Sequence, residues 1–306
     1  MAEIKNTGGV PVTEFKVGSS SFLMAPAHGF RLMQWNLSTA MGVREVLHWP
    51  GQSEGVDFAC VRGGNPLLFP FSGRSFDRGL VNTWRAPSGE QLAMPQHGFA
   101  RKGEFRVTRQ TDNDIEAVLV PDEEAQAAYP YEYAFAVAYR FEELSLKVTL
   151  TLFNQDQNPI PWSAGHHFYF RLPWHEGARR ADYRLNLDAR KCAYHGPDGK
   201  LVMERDRNTC HDLSDPALLD RIHWQLRHNR VSFGPKGGEE DIHIVIGDQE
   251  VPMKNTCIVS WSESEDAPYY CIEPWMGPPN AAEHGKGLHW VAPGESESFS
   301  VEISLF

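Results

Sequence analysis

The chain is poor in cysteine. Its 306 residues hold five, at Cys60, Cys192, Cys210, Cys257 and Cys271, with no Cys-x-x-Cys pair among them. An odd, scattered set does not make a disulfide framework and fits reduced thiols in the cytosol. The lack of paired cysteines argues against a structural zinc site, and no metal is expected. No apolar run approaches the 18 or so residues of a membrane-crossing helix. Residues 1–7 lack the basic-then-apolar pattern of a signal peptide. Basic residues are outnumbered, 29 against 40 acidic, for a net charge of −11. Such a surface argues against nucleic acid and anionic membranes as general partners. The glycines form no phosphate-binding loop or dinucleotide fingerprint, and no Gly-x-Ser-x-Gly elbow occurs. His195, His211 and His243 show no metal-ligand spacing.

Long helical periods are scarce as well. What is present are short alternating runs, punctuated by 26 glycines and 21 prolines. Tyr131–Phe141 reads as one strand and Leu144–Asn154, with strict alternation, as the next. The brief Glu142-Glu143 connection makes them a hairpin. Near the end, Pro293-Gly294-Glu295 turns into a strand over Phe299–Leu305. One short helix is expected, from Leu213 through Leu226. Gly234–Glu240 reads as a surface loop. No repeat, low-complexity tract or linker divides the chain. The expectation is all-β: one domain over residues 1–306, a large sandwich of packed antiparallel sheets.

The most informative stretch is Cys271-Ile272-Glu273-Pro274-Trp275-Met276-Gly277-Pro278-Pro279-Asn280. Pro274 pushes Glu273 towards extended backbone and ends the strand, which fixes one carboxylate beside the flat apolar wall of Trp275. A positioned carboxylate against an aromatic surface suits proton transfer on a carbohydrate. A Glu at a strand edge before a turn is the plainer alternative. Three further segments stand out. In His97-Gly98-Phe99-Ala100-Arg101 the glycine lets backbone and imidazole approach a ligand closely, although a turn histidine would look the same. In Gly165-His166-His167-Phe168-Tyr169-Phe170-Arg171 strand alternation sends the two histidines to opposite faces, which argues against a His-His metal pair. One of them is free to serve as acid or base, or both are structural. In Arg62-Gly63-Gly64-Asn65 through Ser72-Gly73-Arg74 two arginines bracket an apolar Gly/Pro-rich segment. They suit a sugar hydroxyl or a phosphate, or simply mark exposed strand ends.

Taken in order, Leu68-Phe69-Pro70-Phe71-Ser72-Gly73-Arg74, His97-Gly98-Phe99-Ala100-Arg101, His167-Phe168-Tyr169-Phe170 and Ile272-Glu273-Pro274-Trp275 resemble the aldose 1-epimerase (galactose mutarotase-like) family, from about residue 20 to the last strand. The resemblance implies a large β-sandwich with a sugar cleft on one sheet, no metal and no organic cofactor. It implies Glu273 as general base, His167 as general acid, and Arg74 and His97 as substrate-binding residues. The family also uses an Asp before a late strand, for which Asp241, ahead of Ile242–Ile246, is the candidate. His166 and Arg171 stand where the family often has Asn, which bears on sugar specificity. The implied reaction moves protons at the anomeric O1 and ring O5 of a free aldohexose, with Glu273 ionised and His167 protonated at the start. The two groups are expected in one open cleft, about a sugar ring's width apart. Arg62-Gly63-Gly64 and Arg101 also resemble the hexose-6-phosphate epimerases, whose arginines hold the sugar phosphate. A non-catalytic sugar binder is the remaining alternative, against which the presence of both His167 and Glu273 argues. The expected partner is therefore a small sugar or sugar phosphate. The oligomeric state is not legible.

Overall fold

The computed structural model describes residues 3–7, 10–51, 57–205, 207–238 and 240–306. Among these, the chain builds two large antiparallel sheets, one of thirteen strands and one of nine. The expected hairpin is present as Tyr133–Phe141 and Ser145–Asn154, registered from Tyr133 opposite Asn154 to Phe141 opposite Leu146. Alternation decides which side chains go inward. Phe135, Val137, Tyr139 and Phe141 are buried from one strand, and Leu146, Val148, Leu150 and Leu152 from the other. The last strand, Ser296–Leu305, lies beside this hairpin and adds Phe299, Val301 and Ile303 to the same face.

The sheets meet through aromatic side chains. Phe22 and Phe15 of the larger sheet pack on Phe141 of the smaller one, with ring centroids 4.5 and 4.9 Å apart. Phe170 meets Phe233 at 4.8 Å. Phe69, between the sheets, stacks on Phe135 at 3.9 Å and 14°. Each ring buries a large apolar area, and offset or edge contacts add to that gain.

The larger sheet carries the strand Tyr269–Trp275 near its middle, between Phe168–Arg171 and Cys257–Trp261. Both its faces are buried. Tyr270 and Ile272 join the core between the sheets. Cys271, Glu273 and Trp275 point the other way. The strand does not stop at Glu273, as Pro274 alone would predict. It continues through Pro274 opposite Ile258 to Trp275 opposite Cys257, because neighbours on that side hold it in register.

A second correction concerns residues 213–226. Only one helical turn forms there, Pro216–Leu219, capped by the Asp215 carboxylate on the Ala217 N–H. Asp220–Leu226 is a strand paired on both sides, with Ala189–His195 and Cys257–Trp261. Arg221, Ile222, His223 and Trp224 are all buried, so two-sided pairing overrides the local helical pattern. The supposed loop from Gly234 begins with the end of a strand, Arg230–Pro235, and Glu239 lies outside the described residues.

Phe135→Ala removes the ring stacked on Phe69 and leaves a cavity at the sheet interface. A stability loss of roughly 3–5 kcal/mol is expected, read as a lower urea midpoint with an unchanged slope.

Candidate active site

A cleft of about 650 Å³ opens on the outer face of the larger sheet. Its floor is built from alternate residues of neighbouring strands: Ile222, Val259, Trp261, Tyr169, Glu273 and Trp275. Loops supply the walls, with Arg62 and Arg74 on the segment 61–76, His97 and Arg101 on the next, and His195 to Pro197 opposite.

Glu273 and His167 meet at the base of this cleft. Glu273 is 1% exposed, and its Oε1 lies 3.4 Å from His167 Nε2. They are thus in near contact, not a ring's width apart. The His167 ring stacks on Tyr169 at 4.6 Å and 10°, with Trp261 edge-on at 5.7 Å. Burial pushes His167 well below the ordinary imidazole range, and His97, Arg31 and Arg101 add to the shift. Burial pushes Glu273 well above the carboxylate range, and Asp220 at the cleft mouth reinforces it. Attraction between the two would favour an ion pair, but 3.4 Å is long for a charge-assisted contact, and desolvation is the stronger effect. Both shifts favour the neutral forms, with a proton on Glu273 and none on His167, over the ion pair that the resemblance implies.

His97 is fixed through its backbone and its ring together. Its N–H donates to Gly73 O at 2.7 Å, and its Nδ1 accepts the Gly73 N–H at 3.1 Å. That second bond places the ring proton on Nε2. His97 and Gly98 both have positive φ, 67° and 69°, and a Cβ at Gly98 would collide with the Phe69 carbonyl. The His-Gly pair is thus required by the turn itself. Burial, followed by Arg101 and Arg74, lowers the His97 pKa to about 3, so it stays neutral.

Two buried polar residues that sequence reasoning passed over hold the site in place. Asn65 Oδ1 accepts the His167 N–H at 3.1 Å, while its Nδ2 donates to Tyr139 Oη at 2.8 Å and to His166 Nδ1 at 3.1 Å. It thereby ties the histidine on the cleft face to the opposite sheet. Arg31 is fully buried and donates to the carbonyls of Phe58, Val61 and Gly63, which anchors the segment carrying Arg62. Its guanidinium lies over the Trp49 and Phe58 rings at 5.2 and 5.6 Å.

The sequence profile of the family described as aldose 1-epimerase matches residues 59–304. The chain belongs to that family. The chromosomal Protein LacX of Lactococcus lactis subsp. lactis is 24% identical over 270 residues, which cover 79% of this chain and 85% of LacX. Among solved structures, a galactose mutarotase-like protein from Clostridium acetobutylicum superposes with a TM-score of 0.81 at 16% identity, covering 100% of this chain and 98% of that one. A galactose mutarotase related enzyme from Lactobacillus acidophilus gives 0.78 at 21%, covering 96% and 97%. At these identities the structural likeness establishes the fold. Family membership itself supports a sugar-isomerase activity.

The cleft of this aldose 1-epimerase family member brings together Glu273, His167, His97, Arg74, Arg62 and Arg101. It does not include Asp241. That residue heads Ile242–Ile246 in the smaller sheet, where Arg184 holds both its carboxylate oxygens at 3.2 Å. The aspartate that lines the cleft is Asp220, the first residue of the strand Asp220–Leu226. His166 turns inward and stacks between Phe168 and Phe299, as alternation predicts. Trp275 is 4% exposed and donates its indole N–H to His166 O, so the half-buried Trp261 is the more open aromatic surface. Arg62 pairs with Glu263 at the rim. Among the described residues Arg101 has no carboxylate partner. None of the five cysteines forms a disulfide, and no helix among the described residues is long and apolar enough to cross a membrane.

Asn65→Ala orphans the His167 N–H, the Tyr139 hydroxyl and His166 Nδ1 together. Each buried group left unpaired costs roughly 1–3 kcal/mol. A clear fall in melting temperature is expected by calorimetry, larger than for Tyr139→Phe, which removes a single hydroxyl.

Proposed function

We propose that the protein is an aldose 1-epimerase that interconverts the α and β anomers of a free aldohexose. The observation that carries this reading is the 3.4 Å approach of Glu273 to His167 at the base of an open cleft. O1 and O5 of a pyranose are bonded to the same carbon. A base and an acid 3.4 Å apart are therefore suitably spaced to serve both oxygens of C1. In the reactive form Glu273 is the carboxylate and His167 the imidazolium. Glu273 takes the proton from O1 as His167 gives one to O5, and the C1–O5 bond breaks to leave the free aldehyde. The pair's proton has then moved from His167 to Glu273 through the sugar. That is the arrangement burial favours, and at no point does the pair's net charge change. Rotation about C1–C2 and closure on the other face run the transfer backwards and invert the anomer.

His97, whose ring centroid lies 5.4 Å from that of His167, and Arg74 on the cleft wall serve to bind sugar oxygens. Asp220 takes the role first assigned to Asp241, as an acceptor for sugar hydroxyls. A second substrate class, the hexose 6-phosphates, is favoured by one observation: Arg101 faces the cleft with no carboxylate partner, and Arg62 and Arg74 stand on the same rim. An anion entering there would gain charge-assisted contacts.

Glu273→Gln should lower kcat for anomer interconversion by roughly 10²-fold or more with KM little changed, after subtraction of spontaneous mutarotation. Polarimetry or saturation-transfer NMR on free aldoses reads it out, and near wild-type turnover removes Glu273 from the mechanism. The wild-type pH profile should be bell-shaped, because only the one-proton pair reacts. The acidic limb marks uptake of a second proton, below the ordinary imidazole range. The basic limb marks loss of the shared proton, above the ordinary carboxylate range, and is the limb that Glu273→Gln abolishes.

Arg101→Ala separates the substrate classes. If a 6-phosphate is bound, KM for the phosphosugar should rise roughly tenfold or more while KM for the free sugar moves little. Equal effects on both speak for the free aldose.

A further inference from the structure

Cys271 stands two residues before Glu273 and so lies on the same face of its strand. It is fully buried, and no step above uses it. One ligand atom from each of His167, Cys271 and Glu273 lies within 4.8 Å of the other two. His167 Nδ1 and Glu273 Oε2 are buried with no hydrogen-bond partner, so the pair's polar capacity is not used up within the protein. Imidazole, thiol and carboxylate together are the donor types of an open zinc site, with three protein ligands and a fourth position facing the cleft. Tetrahedral zinc, with bonds of about 2.0–2.3 Å, needs donor atoms roughly 3.5 Å apart. His167 Nε2 and Glu273 Oε1 already stand 3.4 Å apart. Closing the rest takes about 1 Å, within the reach of a side-chain adjustment.

We infer that a thiophilic divalent cation, Zn²⁺ or Co²⁺ in its place, binds His167, Cys271 and Glu273 and blocks proton transfer in the cleft. Binding displaces the Cys271 thiol proton and the proton held by the Glu273–His167 pair, so two protons leave for each cation. Thiolate and carboxylate then balance the cation's charge, and the filled site is neutral, as a buried site in low dielectric requires. Arg31 and Arg101 oppose a bare cation nearby, which makes both anionic ligands necessary. The site departs from the expectation of no metal. That expectation rested on the family resemblance and on the lack of cysteine pairs or a usable pair of adjacent histidines, whereas these donors come from two segments far apart in sequence. Cation binding stands without the epimerase reading; only its inhibitory consequence rests on it.

The test is titration of Co²⁺ into the full-length, metal-free protein. One equivalent should bind per chain, with near-ultraviolet thiolate-to-cobalt absorption and the visible bands of a tetrahedral ion. A Cys60→Ser/Cys210→Ser variant, which lacks the exposed thiols, should keep both signals. Cys271→Ala should lose the charge-transfer band, and Glu273→Gln, which keeps the thiol, should weaken Co²⁺ binding roughly tenfold or more. Zn²⁺ should displace Co²⁺ and lower the wild-type epimerisation rate, while Cys271→Ala stays near its own metal-free rate. A thiolate band that survives in Cys271→Ala, or is absent from the wild type, overturns the site. If near-ultraviolet circular dichroism shows Cys271→Ala unfolded, Cys271→Ser takes its place with the same expected losses. A tightly bound cation that leaves epimerisation unchanged overturns the inhibitory role.

Discussion

Strand alternation is the constraint from which the rest of this molecule follows. The same few strands must fill the space between two sheets and also furnish a polar cleft on the outside. Tyr270 and Ile272 do the first task, and Glu273 and Trp275, on the opposite face of the same strand, do the second. The two adjacent histidines divide in the same way, His166 into the core and His167 into the cleft. A slip of one residue in register would exchange a carboxylate for an isoleucine at the cleft floor. The aromatic contacts between the sheets, with Phe69 on Phe135 at their centre, make such a slip costly.

Within that frame, a small number of buried polar groups set the chemistry. Asn65 reaches from His167 to Tyr139 across the sandwich, so the position of His167 is referred to the far sheet. Arg31 does the same for the rim by gathering three carbonyls around one guanidinium. Burial lowers its pKa to about 10, which still leaves it charged near neutrality. The same desolvation acts on Glu273 and His167 in opposite directions and favours the neutral form of each. Burial that penalises net charge is compatible with the proposed reaction, which only relocates a proton.

The fold was legible because its signals are local. The alternation of Tyr131–Phe141 and Leu144–Asn154 needs no partner to be read, and the structure shifts their starts by only two residues and one. Glu273, His167 and His97 were legible from short phrases with backbone-shaping neighbours. What the sequence hid depends on pairing between distant segments. Asp220–Leu226 carries a helical-looking pattern and becomes a strand because Cys257–Trp261 and Ala189–His195 flank it. Asp220 and Asp241 each stand at the start of a late strand, and only the sheet each strand joins tells them apart. Asn65 sat in plain view between Gly64 and Pro66, but nothing local announces that its amide spans two sheets. The near contact of Glu273 with His167 was hidden too, since spacing along the chain carries no cross-strand distance.

The reciprocal bonding of Gly73 and His97 bears on which molecules the cleft is able to tell apart. With Nδ1 committed to a backbone amide, the ring shows the cleft a hydrogen and never a lone pair. It therefore senses only that an oxygen has electrons to share, which is equally true of a hydroxyl, a ring ether and a carbonyl. As a hexopyranose opens and closes, its oxygens change among these three kinds. On the reading proposed above, a contact blind to that difference would hold both anomers and the aldehyde between them, and groups that accept hydrogen bonds, such as Asp220, would be the ones to tell a hydroxyl from the other oxygens.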